Sequence, residues 1–287
     1  MTAGAAEARA EAFFLPRAVD PARGQLFCLY HPPHGDCRGA VLYVPPFAEE
    51  MNRARRIAAQ QARALAALGY GVLQPDLGGT GDSSGDFGEA RWDGWKDDLA
   101  ACCAWLSARI AQPPVLWGLR LGALLALDYA QSAPHRLRAV ILWQPVTSGQ
   151  AYLTQFLRMR TMNAVLADSS SEQTGTRALR AALQSGETLE VGGYALDPAL
   201  AEAIDALAPL EDHTPPCPVH WFEMAAAGGQ ALPPGAARAA DAWRRRHTQL
   251  EVVAVDCPPF WAAGEGVDAP GLLAATTALV RGGRLGN

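Results

Sequence analysis

Short apolar runs alternate with segments of helical periodicity along almost the whole chain, and this alternation limits the fold more than any other feature. RGAVLYVPPF (residues 38–47) and PPVLWG (113–118) have the length and composition of buried strands, whereas RRIAAQQARALAALGY (55–70) repeats its apolar residues at helical spacing. Strands that alternate with helices form a parallel sheet covered on both faces. The sequence therefore predicts an α/β fold with a mostly parallel central sheet.

The alternation is interrupted between residues 149 and 212. This stretch combines helical pieces with the polar run DSSSEQTGT (168–176) and with ETLEVGGYAL (187–196), whose paired glycines suggest a hairpin. We expect a core formed by residues 13–148 and 213–287, with an inserted helical cap at residues 149–212. The first dozen residues are rich in alanine and are expected to be frayed.

Composition narrows the classes of function. The chain has 287 residues, is 49% hydrophobic and carries a formal net charge of −5, which fits one large domain and argues against nucleic-acid binding. Six cysteines form no CxxC pair, so neither a metal site nor a cofactor is predicted. The N-terminus lacks the pattern of a signal peptide, and no apolar run reaches about 18 residues. We expect a cytoplasmic protein without a transmembrane segment; its oligomeric state stays open.

Three segments carry the features of a known architecture. WGLRLGA (117–123) reads as a strand, a sharp glycine turn centred on Arg120, and a helix. DLGGTGDSSG (76–85) is a glycine-rich loop after a strand, and VPPFAEE (44–50) is a strand leading into a polar turn. Their order along the chain resembles the α/β-hydrolase fold. In that fold the central turn reads G-x-S-x-G and is called the nucleophile elbow, and the resemblance places the oxyanion loop of esterases at residues 44–50.

A narrower resemblance rests on longer segments. PPFAEEMNRARR (45–56), LGGTGDSSGDFGEARWDGWKDD (77–98), WGLRLGALLA (117–126), LWQPVTSG (142–149) and PPFW (258–261) are similar to the exosortase A system-associated hydrolases, type-2 group. This resemblance implies a hydrolase scaffold near the bacterial machinery for exopolysaccharide export and protein sorting, and a protein partner in envelope assembly.

Each position of a catalytic triad is predicted to be vacant. The elbow holds Arg120, whose guanidinium stays protonated and cannot attack a carbonyl. The loop DCPPFWAAGEG (256–266) contains Phe260 and Trp261 where the fold carries its histidine, and AGGQALPPGA (227–236) has no acid, since Glu223 lies within the preceding strand. Standard Ser-His-Asp chemistry is therefore not expected.

Substitute catalytic groups have simpler structural explanations. Ser83 and Ser84 fit a turn, Ser148 fits a loop, and Cys257 fits a buried thiol with no base beside it. Among the six histidines, His213 at the exit of the cap is the strongest candidate for a site residue.

Arg120 at a helix N-terminus requires an anion, because that end of a helix already carries partial positive charge. The anion is either internal (Glu49, Glu50 or Asp76) or a carboxylate or phosphate of a ligand. Three hypotheses follow. The chain binds an anionic, acyl, peptide or glycan-type ligand or a partner without catalysis, or it hydrolyses an ester, thioester or peptide bond with a rearranged site, or it is an interaction subunit. The predicted ligand-binding residues are Arg120, Leu121, Phe47, Ala48, Glu49, Glu50, Asp76, Trp117, Trp143, Phe260 and Trp261.

Overall fold

A central sheet and flanking helices make up the molecule. The computed structural model describes residues 9–17, 24–133, 136–166, 175–225, 231–262 and 266–285. The strands are β1 (Glu11–Pro16), β2 (Gln25–His31), β3 (Gly39–Val44), β4 (Tyr70–Pro75), β5 (Val115–Leu119), β6 (Ala139–Trp143), β7 (Leu189–Val191), β8 (Tyr194–Leu196), β9 (Val219–Ala225) and β10 (Leu250–Asp256). The helices are α1 (Glu49–Ala67), α2 (Trp92–Ser107), α3 (Leu121–Ser132), α4 (Gly149–Leu166), α5 (Thr176–Gln184), α6 (Pro198–Asp205), α7 (Pro234–Arg245) and α8 (Pro270–Arg281).

Eight of these strands form one sheet in the order β1-β2-β4-β3-β5-β6-β9-β10. The six strands β4, β3, β5, β6, β9 and β10 run parallel. At one edge of the sheet, β2 pairs antiparallel with β4, and β1 pairs antiparallel with β2. The mostly parallel sheet predicted from the sequence is confirmed. Since the parallel strands all end at one edge, the loops that follow β3, β5, β6, β9 and β10 meet there.

Helices cover both faces of this sheet because strand residues alternate between the faces. Within β5, Trp117 belongs to the core shared with α1 and α8, whereas Leu116 belongs to the core shared with α2, α3 and α7. Both faces of β3, β5 and β6 are therefore buried, which explains why these three strands are apolar throughout.

The segment between β6 and β9 leaves the sheet and packs on the α2–α3 side. It contains α4, α5, α6 and the two-stranded β7–β8 hairpin, in which Leu189 pairs with Leu196. The hairpin expected from ETLEVGGYAL is confirmed. Leu153, Leu183 and Leu200 from this segment join the core of that face. Residues 167–174, most of the polar run noted above, lie outside the described residues.

The expectation that the first dozen residues are frayed is wrong for residues 11 and 12, which belong to strand β1, and residues 1–8 lie outside the described residues. Glu11 and Ala12 lie in β1 and pair with Tyr30 and Leu29 of β2. The backbone ladder with β2 and the stacking of Phe13 on Trp105, with ring centroids 4.7 Å apart, hold the strand, whereas Phe14 is 54% exposed. No helix within the described ranges is long and apolar enough to cross a membrane.

Candidate functional site

The backbone at Arg120 has the sharp turn that the sequence predicts. Arg120 follows β5 and is the N-cap residue of α3. Its backbone angles are φ 56° and ψ −122°, a conformation that residues other than glycine seldom adopt. Its N–H donates to the Trp143 carbonyl at 3.0 Å, and its carbonyl accepts from Ala123 N–H at 3.0 Å. These bonds hold the residue above the carboxyl edge of the sheet.

The two glycines of the turn are required by close packing. A Cβ on Gly118 would lie 2.6 Å from Ala123 Cα, and a Cβ on Gly122 would overlap the Pro45 carbonyl. The spacing G-x-R-x-G therefore allows α3 to start tightly against β5 and the loop after β3.

The Arg120 side chain has an internal anionic partner and aromatic cover. Its Nε donates to Glu50 Oε1 at 3.4 Å. The guanidinium carbon lies 5.0 Å from the ring centroid of Trp261 and 5.8 Å from that of Tyr152, within the range of cation–π attraction. Only 14% of the Arg120 side chain is exposed, so little of its charge reaches solvent.

The other carboxylates considered as partners are paired elsewhere. Asp76 forms an ion pair with Arg55 at 3.0 Å and is buried at the end of β4. Glu49 pairs with Arg53 at 3.3 Å, on the exposed surface of α1. Of the three internal anions that the sequence offered, Glu50 is the one next to Arg120.

A second buried carboxylate, Glu223 of β9, is close enough to Arg120 for the charge of the guanidinium to lower its pKa. Its oxygens accept from Trp221 Nε1 at 2.8 Å and from Gln144 Nε2 at 2.9 Å. Burial raises the pKa of Glu223, while Trp221, Gln144 and the charge of Arg120 lower it. The sequence placed Glu223 in a strand and gave it no role. A lone acid in an apolar strand that ends at the edge carrying the elbow was the available signal.

Glu50 is also desolvated. Burial raises its pKa, and the Arg120 charge is the largest opposing effect. Glu50 Oε2 is buried, and a hydrogen bond from the Tyr152 hydroxyl to the Glu50 carboxylate also lowers the pKa of Glu50. Arg120 therefore interacts with two buried carboxylates, by a hydrogen bond to Glu50 and through its charge with Glu223.

A pocket of about 190 Å³ opens beside this ion pair. Its walls combine four aromatic side chains with a methionine, a glutamine, an alanine and three charged residues, and the charged groups lie on the first turns of α1. The lining side chains are Phe47, Glu49, Glu50, Arg53, Tyr152, Gln155, Phe156, Met159, Trp261 and Ala262. We call this cavity the elbow pocket. Tyr152, Gln155, Phe156 and Met159 come from α4, and the sequence did not identify them because their position over the elbow is set by tertiary packing.

The predicted site residues on the other side of the elbow line a much smaller slot. Ala48 and Leu121 border this slot together with Trp92 and Trp95. Its volume of about 20 Å³ is close to the space that one water molecule needs. This slot has no room for a ligand in the present conformation.

Two tryptophans that were expected to line the pocket do not. Trp117 and Trp143 are fully buried against each other on the α1–α8 face, with ring centroids 4.7 Å apart. Trp143 Nε1 donates to Thr276 Oγ1 at 3.0 Å. The alternation of strand residues turns both rings away from α4, so that interpretation is wrong for them. Phe260 is buried behind Trp261, 5.2 Å from its ring.

The candidate nucleophiles outside the elbow have structural roles. Ser83 Oγ donates to the Asp76 carbonyl at 2.6 Å, and Ser84 Oγ accepts from Gln25 N–H at 3.0 Å. Ser148 Oγ accepts from Ala151 N–H at 3.2 Å in the first turn of α4. Burial raises the pKa of the Cys257 thiol to about 11, so the thiolate is scarce near neutral pH.

His213 also lies away from the elbow. Its Nδ1 is 2.7 Å from Gln131 Nε2, and its Nε2 is 3.2 Å from the Ala208 carbonyl oxygen. Gln131 is eleven residues after Arg120, so a helical rise of 1.5 Å per residue places it about 16 Å from the turn. His31 and His220 have side-chain partners of their own, Gln74 and Glu251. Residues 226–230 and 263–265, within the two loops predicted to lack an acid and a histidine, lie outside the described residues.

No group of three or more histidine, cysteine, aspartate or glutamate side chains in the described part of the chain could hold a metal ion. The described groups with chemical character at the site are Arg120, the carboxylates of Glu50 and Glu223, and the aromatic rings.

Comparison with known proteins places this arrangement in a family. The model of the serine aminopeptidase S33 family matches residues 35–211, which include the elbow, the glycine-rich loop and almost all of the segment between β6 and β9. The chain belongs to this family. No curated protein matches the sequence significantly.

Solved structures extend the likeness of this S33-family protein to the whole fold. A lipase in its open form superposes with a TM-score of 0.68 at 15% identity, covering 97% of this chain and 100% of the lipase. Est1E from Butyrivibrio proteoclasticus with bound ferulic acid gives 0.63 at 14% identity, covering 96% and 98%. A carboxyl esterase from Bacillus coagulans with glycerol gives 0.61 at 13% identity, also covering 96% and 98%. At these identities the likeness shows the α/β-hydrolase fold.

Within this S33-family scaffold, the elbow presents a cation where the fold carries its serine. A guanidinium has no lone pair for attack and no proton to release near neutral pH. It can hold a charge, donate hydrogen bonds and pack against rings.

Proposed function

We propose that this S33-family chain is a non-catalytic α/β-hydrolase-fold protein that binds a small ligand in the elbow pocket. The observation that carries the proposal is the placement of Arg120. Its backbone keeps the elbow conformation, while its side chain is paired with Glu50 and covered by Trp261 and Tyr152. The position from which a nucleophile would act is therefore filled by a paired, positively charged side chain.

The elbow pocket supports binding as the remaining function. It combines aromatic walls with a few polar groups, as small-molecule sites generally do. α4 contributes Tyr152, Phe156 and Met159, and Met159 is 40% exposed although it is a large apolar side chain. A pure interaction subunit would have no need for an aromatic cavity next to the elbow.

The biological setting is part of the same proposal. The segments quoted above resemble the type-2 hydrolases associated with the exosortase A system, and we infer a role beside exopolysaccharide export and protein sorting from that resemblance. The ligand would then be a small molecule or a fragment of an acyl, peptide or glycan chain handled in envelope assembly, and the compartment of the chain would be the cytoplasm.

Reactivity towards hydrolase probes tests the proposal. Purified protein is incubated with a fluorophosphonate probe and with short-chain nitrophenyl esters, and labelling is followed by intact-mass spectrometry. We expect no adduct and no turnover above the rate without protein. Arg120→Ser is the matched variant, and it should also remain unlabelled because no histidine of the described residues lies beside the turn. Stoichiometric labelling of any serine in the unmodified protein would favour the rearranged hydrolase instead.

A further inference from the structure

The strand β1 lies at one edge of the central sheet and is paired on one side. Among the described strands, β2 is its neighbour, and β1 ends the strand order. The N–H and C=O groups on the open side of an edge strand can pair with a further strand, which makes such an edge a place where chains associate.

The backbone groups of Phe14 point to this open side. Phe14 lies opposite Phe27 of β2, but the Phe27 N–H donates to Ser83 Oγ at 2.8 Å. The Phe27 carbonyl accepts from the Asp76 N–H at 2.9 Å, also on the far side of β2. Phe14 and Phe27 therefore form one of the non-hydrogen-bonded pairs of the antiparallel ladder, and Phe14 faces outward.

The open edge offers two donors and three acceptors. The Arg17 N–H donates to the Gly24 carbonyl at 3.2 Å, which shows that the odd-numbered residues bond towards β2. The even-numbered Ala12 and Pro16 therefore point to the same side as Phe14. Since proline has no N–H, the outward donors are those of Ala12 and Phe14, whereas all three residues present a carbonyl.

Phe14 is also one of two large apolar side chains exposed within the described residues. Its ring contacts Phe27 edge-on, with centroids 5.7 Å apart, and remains 54% exposed. Phe13 and Leu15 point to the opposite face, where they are partly buried against the core. The centre of β1 thus combines unpaired backbone groups with an apolar ring in water.

We propose that two copies of this chain associate through their β1 strands, which pair antiparallel about a twofold axis at Phe14. The Phe14 N–H of each copy donates to the Phe14 carbonyl of the other. The Ala12 N–H of each copy donates to the Pro16 carbonyl of the other. These bonds use every outward donor of the two β1 strands, and the two eight-stranded sheets become one continuous sheet.

Apolar side chains are matched on both faces of this pairing. Residues directly opposite each other in an antiparallel pair share one face. The two Phe14 rings are neighbours on one face, and Phe13 of each copy lies opposite Leu15 of the other on the second face. An axis at Ala12 would instead place Glu11 opposite Phe13. The strand is complementary to itself when the axis lies at Phe14, so a second copy is the partner that fits.

The charges at the ends of the strand select the same register. The exposed Glu11 lies opposite Arg17 of the second copy. Arg17 is bonded to Asp98 at 2.8 Å and its side chain is 17% exposed, so Glu11 adds a second carboxylate to an existing ion pair. An axis at Phe13 would place Arg9 opposite Arg17, and like charges directly opposite each other are destabilising.

This interface is separate from the elbow pocket. The strands β2, β4 and β3 lie between β1 and β5. Because neighbouring strands are about 4.8 Å apart, roughly 19 Å separates β1 from the strand that leads into the elbow. Association through β1 therefore leaves the elbow pocket open and does not depend on the ligand-binding function proposed above.

Sedimentation velocity of the full chain tests the association. The concentration is varied from about 1 to about 200 μM, because a six-residue edge strand is a small interface and small interfaces bind weakly. We expect the weight-average mass to rise with concentration from that of one chain towards that of two. A mass that stays at one chain across this range overturns the proposal.

Phe14→Asp locates the interface. It places two carboxylates next to each other at the axis and should weaken the association at least tenfold. Met159→Asp is the matched control, since Met159 is the other exposed large apolar side chain in the described part of the chain, and it should leave the association unchanged. Far-UV circular dichroism checks that both variants fold. An association that Phe14→Asp does not weaken, or that Met159→Asp weakens equally, contradicts the proposal.

Disulfide trapping tests the register. Phe14→Cys and Ala12→Cys are each made together with Cys37→Ser, because Cys37 is the exposed cysteine. Oxidised glutathione takes up the two electrons and the two protons of the thiols as the disulfide between the chains forms. The products are separated on a gel without reductant.

The two positions differ in distance across the axis. The paired residues at position 14 have Cα atoms about 5.5 Å apart, within the limit of about 7 Å for a disulfide. Those at position 12 are displaced by four residues, about 14 Å along the strand. We expect a covalent dimer from Phe14→Cys and none from Ala12→Cys. Trapping at position 12, or no trapping at position 14, contradicts the proposed pairing.

Discussion

The Arg120–Glu50 ion pair allows a quantitative test through a double-mutant cycle. Two unit charges separated by the 3.4 Å between Nε and Oε1 attract by about 5 kcal/mol at an effective dielectric constant of ~20. Burial of Glu50 and the spread of the guanidinium charge reduce this gross value. The single contact and the 14% and 20% exposure of the two side chains reduce it further. We therefore expect a net coupling free energy of about 2 kcal/mol.

The cycle consists of Arg120→Met, Glu50→Gln and the double variant, each unfolded with urea and followed by far-UV circular dichroism. Arg120→Met should be the most destabilised, by about 3 kcal/mol, because it leaves Glu50 buried without a cation. Glu50→Gln should lose less, since Glu223 still faces Arg120. The double variant should be more stable than the sum of the two losses predicts.

An exposed pair of the same chemistry provides the control for this cycle. Glu49 and Arg53 are separated by one helical turn, and their side chains are 46% and 42% exposed. Their coupling free energy should be about 0.4 kcal/mol. Additivity within about 0.4 kcal/mol at Arg120 and Glu50 would refute the claim that their interaction stabilises the elbow.

Three further perturbations examine other parts of the site and its support. Burial raises the pKa of Glu223 above its ordinary value, so the folded state binds more protons and wild-type stability falls as pH rises from about 4.5 through the raised pKa. Glu223→Gln should make this slope shallower in urea titrations from pH 4.5 to 8 and leave the part that comes from the raised pKa of Glu50, and parallel profiles would contradict it. Gly118→Ala should cost about 3 kcal/mol or more, because its Cβ would lie 2.6 Å from Ala123 Cα; a loss below 1 kcal/mol would show that the turn relaxes easily. Asp98→Asn should cost about 3 kcal/mol in chemical unfolding, since it leaves Arg17, now bonded at 2.8 Å, without its anion; an unchanged midpoint would refute this.

The fold could be predicted from the sequence because its signals are local. Apolar runs separated by helical periodicity identified the parallel strands, and the two glycines of WGLRLGA located the turn at Arg120. The short strand β1 was missed, since its sequence EAFFLP does not alternate apolar and polar residues and its backbone pairing with β2 depends on tertiary structure.

The site could be predicted only in part. The sequence predicts that Arg120 needs an anion, and Glu50 is one of three carboxylates that could supply it. Which of the three lies next to Arg120 depends on where α1 begins and how it packs. Trp117 and Trp143 do not line the elbow pocket, because both rings point to the face of the sheet that α1 and α8 cover. Tyr152 could not be predicted as a site residue, because no local sequence pattern shows that α4 packs over the elbow.

Arg120 is a costly residue at this position. Its backbone conformation costs about 1–3 kcal/mol, and a positive charge at the N-terminus of α3 costs roughly 0.3–1 kcal/mol more. Glu50 offsets the second cost and is itself favourably placed in the first turn of α1. A neutral small residue, glycine above all, would remove the nucleophile with neither cost. The charge on Arg120 is therefore the property that needs explanation, and its consequence is local: it lowers the pKa of Glu50, against the effect of burial, at the wall of the elbow pocket.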